Sequence, residues 1–184
     1  VKPFFRNRLK KSPKQLRFPL PAEIFLPALE ENWSVRYRRT SSAVVQARCN
    51  GSGILNVTGY VDNETEVLTG LRRWLVRKAR SSLVPWLEEL SAAAHLSYGN
   101  VAVRGQKTRW ASCSSQGNIN LNYKLLFLQA DVVRYVLHHE LCHTVHANHS
   151  MDFWSAVASL EPGYRFLNEL ARKGMVQVPE WAKA

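Results

Sequence analysis

The sequence is poor in cysteine: Cys49, Cys113 and Cys142 are an odd number spread far apart. This does not resemble the paired framework of a small secreted domain, and reduced thiols in a cytoplasm are expected. It also lacks long apolar runs. None approaches the roughly 20 residues of a membrane span, so no membrane is expected among its partners. The opening stretch VKPFFRNRLKKSPKQ carries charge with no continuous apolar segment behind it, unlike a signal peptide. The Asn-x-Ser/Thr sequons at Asn50 and Asn56 are therefore read as chance. Acidic residues are scarce too. Fourteen Asp and Glu against 25 Lys and Arg leave a net charge of +11, a field that attracts nucleic acid, phosphorylated ligands or acidic surfaces.

The positive charge falls in three clusters: Lys2 to Arg17, Arg36 to Arg39, and Arg72 to Arg80. For any single cluster a solvated surface is the simpler reading, so nucleic-acid proximity rests on net charge alone. With 184 residues, 46% of them hydrophobic, the chain suffices for one ordinary core. Residues 1–25, basic and punctuated by Pro3, Pro13, Pro19 and Pro21, read as an extended arm, and 26–184 as one domain.

Within that domain Trp33–Arg39, Ala43–Cys49 and Ile54–Val61 are rich in β-formers, and the turn signal Asn50-Gly51-Ser52-Gly53 predicts a β-hairpin. Apolar residues at helical spacing predict a helix from Glu64 to about Ala94, broken or kinked near Pro85. Short strands are expected at Val101–Arg104 and Asn118–Asn122, flanking the polar stretch Lys107–Gly117. A further helix begins at Asp131, with Val132, Val133, Val136, Leu137 and Leu141 on its apolar side, and ends where Asn148 adopts a left-handed conformation. Ser150 is the expected cap of the next helix, packed through Phe153, Trp154, Val157 and Leu160. A last helix, Tyr164–Lys173, packs through Phe166, Leu167 and Leu170.

Five of the six histidines lie between positions 138 and 149, in HHELCHTVHANH. His139 and His143 are four apart, so on a helix their rings leave the same face and can converge on one ion, with Glu140 beside them. A third ligand, His149, follows once the chain has turned back. Three protein ligands leave the fourth position of a tetrahedral zinc open to water, the arrangement of a catalytic site. The ion lowers the pKa of that water toward 7, and a carboxylate that is not a ligand removes its proton, the role expected of Glu140. One Zn2+ per chain is expected. The alternative is a helix whose histidines are satisfied by backbone and solvent. Cys142 reads as a small buried apolar residue and His138 as packing or support, while His146 is open between solvent and a supporting contact.

The segment HHELCHTVHANHSMDFW, preceded by RWASCSSQGNINLN, resembles the YgjP-like family of predicted zinc metallopeptidases and metal-dependent hydrolases, and more distantly the SprT and WLM groups. The resemblance is strongest from Lys107 to Trp154. It implies a small zincin-like α+β domain with a mixed sheet beside the metal-binding helix and C-terminal helices. It also implies His139, His143 and His149 as ligands and Glu140 as base. Ala111 stands where the family usually has Gly, and Thr144 and Val145 after the second ligand also depart from its pattern; none of these touches the expected chemistry. The histidine spacing matches the longer metzincin signature as well, but that signature has Gly where this chain has His146.

Arg109, Trp110, Ser112, Cys113, Ser114 and Ser115 combine a cation, an aromatic and hydroxyls ahead of a strand, the makings of a substrate-side wall. Asn118–Asn122, with Asn120 and Asn122, is the candidate to pair with an extended substrate. A plain turn, with serines satisfying backbone groups and Trp110 in the core, is the competing reading. The leading function is a metallopeptidase-type hydrolase. A nucleotide phosphoanhydride hydrolase using the same metal, and a nucleic-acid-binding module with a structural metal, are the alternatives. The substrate, peptide or nucleotide, is left open.

Overall fold

The computed structural model describes residues 19–51 and 53–183. Four strands in which every second side chain turns inward, β1 (Glu23–Leu26), β2 (Glu31–Arg39), β3 (Gln46–Cys49) and β4 (Ile54–Gly59), form one sheet in the order β1-β2-β4-β3. Ile24, Leu26, Trp33, Ala47, Leu55 and Val57 are its buried face. The expected hairpin is β3–β4, antiparallel, whereas β2 runs parallel to β4 and takes β1 as its antiparallel partner. Most of the arm read over 1–25 lies outside the described residues. Its end needs correcting, because residues 23–25 belong to β1, where Ile24 packs in the core between exposed Glu23 and Phe25.

Helix α1 (Glu64–Ala94) packs under this sheet through Val67, Leu71, Trp74, Leu75 and Ala79, a stripe three or four residues apart. The Asn63 side chain caps its start by accepting from the Thr65 and Glu66 amides, and His95 ends it in a left-handed conformation at φ 54°. The break expected near Pro85 does not occur; the helix runs through it for 31 residues. Leu83 and Leu87, fully buried on either side, hold the chain helical where proline removes one backbone donor.

A second sheet, in the order β5-β7-β6, joins β5 (Val101–Arg104), β6 (Ala111–Cys113) and β7 (Ile119–Asn122). Both flanking strands were expected, but β6 falls inside the stretch read as a wall or turn. A turn whose Gly117 needs a left-handed φ of 71° returns the chain from β6 into β7, and Ser114 serves it by accepting from the Asn118 amide. Since β7 is the central strand, it has no free edge for a substrate. The edge strands are β5 and β6, and β6 packs against the helix that follows.

That helix, α2 (Ala130–Cys142), buries Val132, Val133, Val136, Leu137 and Leu141 as expected. Each fully buried leucine contributes about 2 kcal/mol of apolar transfer. Its cap is Gln129 rather than Asp131, which sits inside the first turn and accepts from the Val132 amide. It ends at Cys142, with His143 as C-cap, and among the described residues Asn148 is not left-handed. Helices α3 (Met151–Leu160) and α4 (Tyr164–Lys173) pack on α2, and a short α5 (Glu180–Lys183) closes against α1. Ser150 caps α3 by accepting from the Phe153 amide. Phe166 does not pack but is exposed, since α4 meets the core through Leu167 and Ala171. The described residues thus form an α+β domain with a sheet beside the histidine-bearing helix. No described helix is long and apolar enough to cross a membrane.

Candidate metal centre

Helical spacing places His139 and His143 one turn apart, and the Ser150 cap turns the following segment so that His149 comes back over them. The ligand atoms of the three rings lie within 4.8 Å of one another, and Nε2 of His139 is 3.1 Å from Nε2 of His149. Two nitrogens bound at about 2.0–2.1 Å to a tetrahedral ion would stand roughly 3.3–3.4 Å apart, so the spacing suits one small cation.

Supporting contacts decide which nitrogen faces inward. His143 Nδ1 donates to the His146 carbonyl at 3.0 Å, leaving Nε2 as the lone-pair atom. The Tyr135 hydroxyl lies 3.3 Å from His139 Nδ1, leaving Nε2 of that ring for the cluster as well. Phe153 stacks on His143 at 4.4 Å, and Trp154, itself stacked on Tyr164, stacks on His149 at 5.4 Å. Burial lowers the pKa of His139 to about 3, helped by the neighbouring His143 and His149 charges. Burial lowers that of His143 too, against the pull of the His146 carbonyl. Rings held neutral in this way are ready donors for a cation.

Glu140 is buried next to this cluster at 6% exposure. Burial raises its pKa to about 7, opposed by the Arg109 charge and the Cys113 backbone amide. Both compartments of a bent cleft, each about 600 Å³, share Arg109, Ala111, His139 and Glu140. One compartment continues along Ser112–Ser115 and Thr144, the other along Trp110, Val136, Ala171 and Met175.

The remaining histidines separate cleanly. His138 turns away from the cluster to Glu161, 2.9 Å from its carboxylate, and Arg134 grips the same carboxylate at 2.7 Å. His146 acts through its carbonyl, and His95 caps α1. Cys142 is buried, which raises its thiol pKa to about 11.

Of the residues expected to meet a substrate, Arg109 and Ser112 line the cleft. Trp110 lines one compartment, but its indole N–H is engaged by the Ala171 carbonyl at 2.7 Å. Asn120 and Asn122 are not among the residues that line the cleft. Asn120 lies in the central strand beside Ser112 and Ala102, outside the cleft lining. Asn122 is fully buried; its amide donates to the Gln106 and Arg109 carbonyls and accepts from the Lys124 amide. Sequence reasoning did not single out Tyr135 or Glu161. Tyr135 had a usable signal, since it precedes His139 by four residues on the same helix face.

The YgjP-like metallopeptidase-domain model matches residues 5–172. The chain belongs to the YgjP-like family. It is a metal-dependent hydrolase of the metallopeptidase class. Among solved structures, this YgjP-like chain is similar to the metallopeptidase zymogen of Pyrococcus abyssi abylysin, with 29% identity over 50% of this chain and 90% of that one and a TM-score of 0.43. It is also similar to the metallopeptidase zymogen of Methanocaldococcus jannaschii jannalysin, with 17% identity over 48% and 92% of the two chains and a TM-score of 0.43. No curated protein matches it.

Proposed function

We propose that this YgjP-like protein is a cytoplasmic zinc peptidase in which His139, His143 and His149 hold one ion and Glu140 is the general base. The observation that carries the reading is the convergence of three imidazoles beside a buried carboxylate in an open cleft. A donor set of three imidazoles suits zinc better than magnesium or calcium, which prefer oxygen. When bound, the ion supplies Lewis acidity, activating water and polarising the carbonyl it faces.

The rest of the chemistry falls to side chains of this chain. Glu140, with a proton affinity near neutrality, accepts the proton of the attacking water and returns it to the leaving amine. Arg109, shared by both compartments, faces the negative charge that grows on the carbonyl oxygen. An extended peptide is held along β6. Hydrogen bonding alternates along an antiparallel strand, and the Ser114 amide and Trp110 carbonyl point to β7. Ala111 and Cys113 therefore face the other way. The Cys113 amide already serves Glu140, so the Ala111 N–H and C=O and the Cys113 C=O are the groups left for a substrate backbone.

The test is a screen of zinc-loaded protein against a mixed peptide library and a panel of nucleotides, with Glu140→Gln beside it. Peptide cleavage by wild type and none by Glu140→Gln supports the reading. Nucleotide hydrolysis without peptide cleavage would move the protein to phosphoanhydride chemistry.

A further inference from the structure

The outward face of the four-stranded sheet is rich in arginine. Arg36, Asn56 and Arg48 stand abreast on β2, β4 and β3, and Arg38, Thr58 and Gln46 form the next row. Strand spacing puts Arg36 and Arg48 about 10 Å apart, with Arg38 about 7 Å further along. The cations continue round edge strand β3 onto α1, where Arg48, Arg73 and Arg77 line a groove and Arg77 is fastened by donating to the Ala47 carbonyl at 2.7 Å.

Two nearby cations have acidic partners: Arg39 pairs with Asp62 at 2.9 Å and Lys78 with Glu31 at 2.7 Å. Among the described residues, Arg36, Arg38, Arg48, Arg73 and Arg77 have none. Five unneutralised guanidinium groups in one patch repel each other, and a polyanion relieves that repulsion. Amides and a hydroxyl, rather than apolar side chains, fill the spaces between them. Phe25, 57% exposed on β1 of the same face, offers a ring on which a base can stack.

The geometry points to this face as a binding surface for single-stranded nucleic acid, read through its phosphates and without sequence preference. It shares no residue with the metal-site cleft, so its occupancy is independent of the peptidase reading.

The experiment is fluorescence anisotropy of the full zinc-loaded chain with a labelled mixed-sequence single strand over a series of salt concentrations. Each phosphate contact contributes about 0.7 to the slope of log K against log salt, so Arg36→Gln/Arg38→Gln/Arg48→Gln lowers that slope by about 2. A control with the same charge change elsewhere, Arg104→Gln/Arg165→Gln/Lys173→Gln, leaves the slope near wild type. Phe25→Ala weakens binding by about 5-fold or more, the loss of one stacked base. Equal slopes in the sheet variant and wild type would overturn the proposal, placing any binding on another basic segment such as residues 2–17. So would equal competition by a polyglutamate peptide or by anionic vesicles, either of which would make the face a general anion surface.

Discussion

Asn122 separates a substrate-binding role from a structural one. In wild type its amide donates to the Gln106 carbonyl at 2.9 Å and the Arg109 carbonyl at 2.8 Å, and its oxygen accepts from the Lys124 amide at 3.1 Å. In Asn122→Ala the Gln106 carbonyl keeps a partner, because the Lys124 ammonium also reaches it at 3.1 Å. The Lys124 N–H loses its partner in a buried setting, while the Arg109 carbonyl, on an exposed residue, loses one that water can replace. An orphaned buried polar group costs about 1–3 kcal/mol, so the loss is about 2 kcal/mol. For a chain of this size that is roughly a 4–8 °C fall in Tm. Urea denaturation and a thermal melt measure it. Zinc content should stay at the wild-type level, since the three proposed ligands lie in α2 and the segment after it, while kcat falls because the loop that carries Arg109 into the cleft lined by Glu140 loses a tether. A stability change under about 0.5 kcal/mol with a raised KM alone would refute the structural role and restore Asn122 as a substrate contact.

Other outcomes follow from the same geometry. Glu161→Ala leaves His138 and Arg134 without the buried carboxylate that joins them and should destabilise by about 3 kcal/mol in denaturant titration, with zinc retained. Tyr135→Phe removes the hydroxyl beside His139 Nδ1 and should weaken zinc affinity by about 10-fold or more in a chelator competition. In metal-free protein burial raises the Glu140 pKa from 4.5 to about 7. The folded state therefore binds that proton more tightly than the unfolded state, and its stabilising effect, full below pH 4.5, is lost as pH rises through 7. Glu140→Gln should accordingly gain stability over wild type across that window, by about 3 kcal/mol at its upper end, in melts at fixed pH steps.

The histidine cluster was legible because its first two members need only one turn of helix, and any helix over 139–143 brings them together. The way the third arrives was misread. Asn148 has the local preference to end a helix, but the chain leaves α2 at Cys142, and the Ser150 cap, with Trp154 stacked on the His149 ring and Phe153 edge-to-face against it, sets where His149 lands. β6 was invisible because Ala-Ser-Cys has too few residues to show alternation, and its identity depends on β7 lying beside it. Asn122 looked like a surface amide for a related reason. Its partners come from a loop at Gln106–Arg109 whose path no local pattern specifies. The basic clusters showed in the composition, yet only the strand register reveals that Arg36 and Arg48 share a row.

The central claim, that one ion is held by these three histidines and no others, is tested most directly by elemental analysis of purified protein with five single variants. About one zinc per chain is predicted in wild type, His138→Ala and His146→Ala, because the first of those rings turns to Glu161 and the second residue contributes only its carbonyl. His139→Ala, His143→Ala and His149→Ala should each come out essentially empty. Full zinc occupancy in His149→Ala, or an empty site in His146→Ala, would contradict the assignment.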